Sequence, residues 1–234
     1  LFLFASPMVL AKPEPVLVAV GWNKPPYVIQ QTQSGFELEL VSAVLKQMGY
    51  EVKFVFVPYG RSFELLRRGN VDAAITMSDK IAMENVFLTD PYVAYQNVAV
   101  SLLEEELTIH DVDDLRPYSV LAFQNAQSLL GDKFFMMASN NPFYSEVPDQ
   151  LRQVKMLFGQ KVQVIVLDVN IFSYFSRQKS LSKQFRKVSI HPLFEINRYR
   201  VGFGKAVLRD QFNLVLAAYT QSPEYRKLQE KYSF

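Results

Sequence analysis

Short apolar runs alternate along the chain with amphipathic stretches. Residues 16–20 (VLVAV) form an apolar run closed by Gly21, the pattern of a buried strand. A loop rich in turn formers follows, with Asn23, Pro25, Pro26 and Gly35. Ser34 and Glu37 stand at the spacing of a capping box, ahead of a helix opened by Phe36. Along that helix Leu40, Val44 and Met48 recur every fourth residue with Val41 and Leu45 beside them, so one face is apolar. Gly49 supplies its C′ stop. Val52, Phe54 and Phe56 then alternate with Lys53, Val55 and Val57, and Pro58 ends the strand. A short helix over 61–68 closes at Gly69, and residues 71–76 (VDAAIT) predict another strand.

This β-α-β-α-β order with short connections implies a parallel sheet, because parallel neighbours need crossover helices. Ligands in such sheets sit beyond the carboxyl ends of the strands. The loops after Val20, Val57 and Ile75 therefore share one rim. A second unit of the same kind follows: a strand over 119–123, a helix within 128–138, a helix over 149–158 ended by Gly159, and a near-continuous apolar strand over 162–167 (VQVIVL). A short helix starts near Asn170. Residues 93–103 and the acidic stretch 104–114 lie between the two units. Near the end come a strand over 199–203, a helix over 205–219 and a helix beginning at Ser222-Pro223, an N-cap and N1 pair. The fold class is α/β with two lobes, and no internal repeat or low-complexity segment interrupts it.

Composition narrows the function classes. A chain of 234 residues is long enough for one large or two small domains with a real core. The net charge of +2, with no Lys or Arg run, gives no footprint for nucleic acid. The absence of cysteine excludes thiolate metal sites, disulfides and cysteine nucleophiles. His110 and His191 lie far apart without a partnering pattern, so neither a metal site nor a triad is expected, and no cofactor. Residues 1–10 (LFLFASPMVL) are too short an apolar run to span a bilayer. They read as the end of a secretory h-region, with Val9 and Ala11 as small residues before cleavage after Ala11; the alternative is a buried first strand.

The motifs VLVAVGWNKPPYVI, SGFELELVSAVLKQMGYEVKFV, LLRRGNVDAAIT, FLTDPYVAYQNVAV, SVLAFQNAQS, VQVIVLD, YRVGFGKA and SPEYRKLQEKY follow one another from Val16 to the C-terminus. In order and spacing the chain resembles the bacterial extracellular solute-binding proteins of family 3, the polar amino-acid-binding class. The resemblance implies a type II periplasmic-binding fold, each lobe a mainly parallel sheet flanked by helices. Lobe 1 would comprise residues 12–98 and 201–234 and lobe 2 residues 99–200, after a residual signal segment over 1–11. Two crossover strands, over 95–100 and 198–203, would form a hinge, and a solute bound in the cleft would close it.

The resemblance also implies where a solute would be held. Trp22 and Tyr27 occupy the first rim loop, which supplies an aromatic that packs on the ligand in the family, with a purely structural role as the alternative for each. After VDAAIT the family continues with Thr or Ser and then an Arg that grips the ligand α-carboxylate in a bidentate fork. Here the run is Thr76-Met77-Ser78-Asp79-Lys80, and spacing back from Pro91 and Tyr92 puts the Arg position at about Ala82. No Arg lies between Arg68 and Arg116, which argues against a conventional α-amino acid. Arg61, just past the end of the 52–57 strand, is a candidate partial substitute, with an exposed helix-start role as its alternative. Tyr59 on the same rim is a further candidate contact, with a plain surface role as its alternative. Asp79 either meets the ligand or pairs with Lys80 at the surface. In the second lobe the family's ligand-binding turn corresponds to Gln124-Asn125-Ala126-Gln127-Ser128, where backbone N–H groups could receive an anion and Gln127 offers donor and acceptor, with a simple capping role as the alternative. Asp168 matches the family carboxylate that receives the ligand's amino group; its alternative is to cap the helix at Asn170. An Asp168 that faces the solute without an Arg opposite implies a neutral or cationic ligand.

The expected function is that of a non-enzymatic, periplasmic receptor for a small polar solute. It would work as a monomer beside an ABC permease or a sensor, with no attached kinase or cyclase domain. The alternatives are a dehydratase on the same scaffold, resembling cyclohexadienyl dehydratases, with Asp168 and Glu37 or Asp79 as an acid–base pair, and a regulatory module without a solute.

Overall fold

The computed structural model describes residues 14–21, 23–58, 60–78, 84–181 and 185–234. From the amino end run β1 (Val16–Val20), α1 (Phe36–Gln47), β2 (Val52–Phe56), α2 (Arg61–Arg67), β3 (Ala73–Met77), β4 (Phe87–Leu88) and β5 (Val93–Leu102). Next come β6 (Val120–Phe123), α3 (Ala126–Leu129), α4 (Asp132–Asn140), β7 (Tyr144–Val147), α5 (Gln150–Phe158), β8 (Val164–Asp168) and α6 (Val169–Ser176). The chain ends with β9 (Val188–His191), β10 (Ile196–Phe203), α7 (Ala206–Tyr219) and α8 (Pro223–Tyr232). It divides into two compact units: Leu1–Trp22, Gln30–Tyr92 and Arg200–Leu228 make the first, and Asn23–Ile29, Val93–Tyr199 and Gln229–Phe234 the second.

In the first unit β1 pairs in parallel with β2 and β3, as the β-α-β-α-β pattern predicts. Val20 lies opposite Phe56, so these two strands end level. The carboxyl half of β10 adds antiparallel to β3 and β4, with a register shift between Arg200 and Gly202. Ala19, Leu66, Val71, Ala74, Met77 and Val86 form a core between sheet and helix. Gly202 is closely packed there: a Cβ would stand 3.0 Å from Val86 Cγ1 and 3.1 Å from Leu66 Cδ2, so those side chains would have to shift. Gly49 (φ +89°) and Gly69 (φ +70°) end α1 and α2 in the left-handed region.

In the second unit β6 pairs in parallel with β7 and β8, and β5 runs antiparallel to β8 and β9. Residues 196–199 of β10 extend the other end of β5. The core gathers Val120, Ala122, Val164 and Val166 from the sheet with Phe134, Met137 and Ala138 from α4. Gln153 on α5 is fully buried and donates to the carbonyls of Leu121 and Val166, one on each of two paired strands.

Three local expectations are corrected. Ser34 and Glu37 do not box α1: Gly35 is the N-cap without a side-chain bond, and the Ser34 hydroxyl lies 2.6 Å from that of Thr32. The helix placed within 128–138 is two helices, α3 and α4, separated at Gly131, whose φ of +88° no helix accommodates. The short strands β7 and β9 escape the apolar patterning because both are largely half-exposed. By contrast, Ser222 caps α8 through a bond from the Tyr225 N–H, and Asp149 caps α5, whose start the pattern places within one residue.

Candidate functional site

The second unit holds a densely built polar site. Asp168 ends β8 and is the N-cap of α6: its Oδ1 accepts from the backbone N–H groups of Asn170 (2.9 Å) and Ile171 (3.1 Å). The same oxygen accepts from the Tyr27 hydroxyl at 3.0 Å, and Oδ2 accepts from the Gln96 N–H on β5 at 2.9 Å. The pairing of Asn97 with Asp168 brings the Gln96 amide into reach. Only 3% of Asp168 is exposed, and burial pushes its carboxyl up to about 6 against the pull of these donors.

Tyr27 is completely buried. Its hydroxyl accepts from Asn170 Nδ2 at 3.0 Å, while its ring stacks on Tyr95 at 3.8 Å and meets the edge of Phe234 at 5.0 Å. Tyr95 in turn meets Tyr199 edge-on at 5.0 Å, and Lys24 Nζ stands 4.9 Å from the Tyr95 ring centre. The segment that carries Tyr27 is a tight loop, closed by the Lys24 and Val28 bridge, with Pro25, Pro26 and Val28 buried beside it.

A second constellation lies at the end of β6. Asn125 adopts φ +67°, which turns its own N–H and that of Gln127 toward one point. Glu146 fills that point: Oε2 accepts from Asn125 N–H at 2.6 Å and Oε1 from Gln127 N–H at 2.8 Å. The parallel register that sets Ala122 beside Glu146 delivers it there. Tyr144 donates to Glu146 Oε1 at 2.7 Å, and its phenol is pushed well above its usual value by burial and by that carboxylate. Gln127 Nε2 donates to Ser139 Oγ, and Ala126 is buried.

In the first unit, Thr76 lies at the end of β3 with φ +57°, a costly conformation for a β-branched residue. Its Oγ1 donates to Glu37 Oε2 at 2.8 Å, Tyr92 OH donates to the same oxygen, and Thr76 N–H donates to Tyr92 OH at 3.1 Å. Glu37 is wholly buried, and burial ahead of the Glu37 charge holds the Tyr92 phenol far above its usual range. Ser78 is half-buried just beyond β3, and Arg61 is exposed in the first turn of α2.

The candidates thus fall into separate groups. Tyr27 meets Asp168; Asn125, Ala126 and Gln127 meet Glu146; Thr76 and Tyr92 meet Glu37. Trp22, Tyr59 and Asp79 lie outside the described residues, as do Lys80, the position at Ala82 and the leader-like segment 1–11. Glu146, Tyr95 and Asn170 carry no local signal that would have singled them out. His191 is held between Ser101 Oγ (3.0 Å) and the Ile109 carbonyl (3.1 Å), and burial lowers its pKa. Among the described residues no cluster of His, Asp and Glu is placed to hold a metal ion, and no helix is long and apolar enough to cross a membrane.

Comparison with solved structures gives the class first. The ligand-binding core of GluR0 in complex with L-glutamate has a TM-score of 0.74 at 15% identity, over 95% of this chain and 99% of that one. A histidine kinase sensor domain with similarity to periplasmic binding proteins scores 0.71 at 19% identity, over 94% and 96% of the two chains. The arginine-, lysine-, histidine-binding protein ArtJ from Geobacillus stearothermophilus scores 0.68 at 17% identity, over 94% and 95%. The fold is therefore the α/β type II periplasmic-binding fold, with its two lobes. The bacterial extracellular solute-binding proteins, family 3, match residues 16–234, and the chain belongs to that family. No curated protein matches it.

Proposed function

We propose that this protein is a non-enzymatic, periplasmic receptor that captures one small polar solute, neutral or cationic, for an ABC-type transporter or a sensor. The observation that carries this reading is the Asp168 station: a buried carboxylate bonded to Tyr27, whose ring leads on to Tyr95 and through it to Tyr199. Aromatic faces and one anchored carboxylate suit an ammonium or guanidinium group. The stretch between Arg68 and Arg116 contains no Arg for an α-carboxylate fork, which speaks against a conventional α-amino acid. Structures of the same fold include a histidine kinase sensor domain and the binding protein of an amino acid ABC transporter, in keeping with either partner.

A thermal-shift screen against polyamines, amino acids, sugars and organic acids tests this. A specific solute at about 100 times its dissociation constant stabilises by about 2.7 kcal/mol, several degrees of melting temperature, and Asp168→Asn should remove the shift. A sugar or organic acid bound with equal strength by Asp168→Asn would overturn the role given to Asp168. A second reading is a regulatory module without a solute. The observation on its side is that Glu146 already accepts from the turn at Asn125 and Gln127. Silence across the screen would favour it.

A further inference from the structure

We propose that Tyr27 is a built-in occupant of the Asp168 station, so that a solute reaches this carboxylate only by displacing the Tyr27 hydroxyl. The inference rests on the reading of Asp168 as the solute's anchor. Four donors converge on this carboxylate, and three of them are backbone amides of Gln96, Asn170 and Ile171. Those amides belong to β5 and α6 and cannot leave without breaking those elements. The fourth, the Tyr27 hydroxyl, comes from the loop over Asn23–Ile29 and is the donor that can be withdrawn with both elements intact. It is also the donor whose place a solute would take, since it reaches Oδ1 from a side chain stacked on Tyr95.

This arrangement makes Tyr27 a specificity-determining residue. A neutral hydroxyl on a solute would exchange one hydroxyl donor for another and gain little. The phenol brings no charge to the buried carboxylate, whereas an ammonium or guanidinium adds a full positive charge to the hydrogen bond, and so outcompetes the phenol. Tyr27 therefore sets a threshold that favours cations over neutral polyols. The apparent affinity for any solute is reduced by the fraction of molecules in which Tyr27 holds its place.

The test uses the full chain and putrescine, a diamine without a carboxylate. Tyr27→Phe keeps the stacked ring and removes the donor, so the fold is retained. It should bind putrescine about tenfold more tightly than wild type by titration calorimetry. Adding Asp168→Asn should abolish the gain. Equal or weaker binding of putrescine by Tyr27→Phe, where wild type binds it, overturns the proposal. A second measurement needs no solute: carbodiimide-driven coupling of glycinamide to Asp168, followed by mass spectrometry. Coupling should be slow in wild type and markedly faster in Tyr27→Ala; equally slow coupling in both overturns the gate. Fast coupling in Tyr27→Ala together with no putrescine binding by any variant upholds the gate and removes the cationic-solute reading instead.

Discussion

At Asp168 a helix cap and a buried charge coincide, and its titration follows from that. With 3% exposure its carboxyl is raised from 3.8 to about 6, with burial as the main cause. A carboxyl raised on folding gives stability that is fully present below its unfolded value near 3.8 and is lost as pH climbs through about 6. The ionised form then costs roughly 3 kcal/mol. Asp168→Asn keeps an oxygen for the cap and has no charge to bury. Relative to wild type, its stability should therefore rise between about pH 4 and pH 7, by up to roughly 3 kcal/mol in urea unfolding. Parallel pH profiles for the two proteins would contradict this account. In the first unit the buried Glu37 depends on Tyr92 and Thr76 for donors. Tyr92→Phe withdraws one and should cost roughly 1–3 kcal/mol, read in the same unfolding experiment.

Among the elements, β10 is tightly packed at one position. Gly202 lies against Val86, Leu66 and Met77 at 3.0–3.4 Å from where a Cβ would stand. Gly202→Ala should destabilise by roughly 1–3 kcal/mol through overpacking, seen as a lower urea midpoint with an unchanged slope. The turn between β6 and α3 offers a spectroscopic check. Glu146→Gln removes the negative charge facing Tyr144, so the Tyr144 phenol should titrate closer to its ordinary value of 10.0, followed by ultraviolet absorbance. An unchanged Tyr144 titration would mean that burial alone holds it high. Element identity was largely legible from the residues, since the apolar runs at β1 and β8 and the four-residue spacing in α1 are local patterns. Where legibility failed, burial was weak, as in β7 and β9, or one backbone angle mattered more than periodicity, as at Gly131.

Across the whole molecule the chain is interleaved. The first unit draws on three separated stretches, and its strands β3 and β4 wait for β10, more than a hundred residues later, to cover them. Such non-local pairing delays closure of the sheet. A chain stopped at residue 199 would leave β3 with an open edge. It should lose cooperative unfolding and aggregate, measured by circular dichroism melting and light scattering.

From the sequence by itself came the α/β class, the family resemblance, the parallel β-α-β-α-β order and most helix ends, because each is written in spacings of two to four residues or in the order of motifs along the chain. What only the tertiary structure decided is which partner satisfies each polar group. Glu37, placed by spacing as a helix cap, answers instead to Thr76 and Tyr92, 39 and 55 residues away. Asp168 does cap α6, as its position suggested, yet it also receives Tyr27 from 141 residues away. Glu146 occupies the turn at Asn125 because β6 and β7 run in parallel register. A buried carboxylate must find donors, but where they come from depends on which strands become neighbours, and local periodicity carries no record of that.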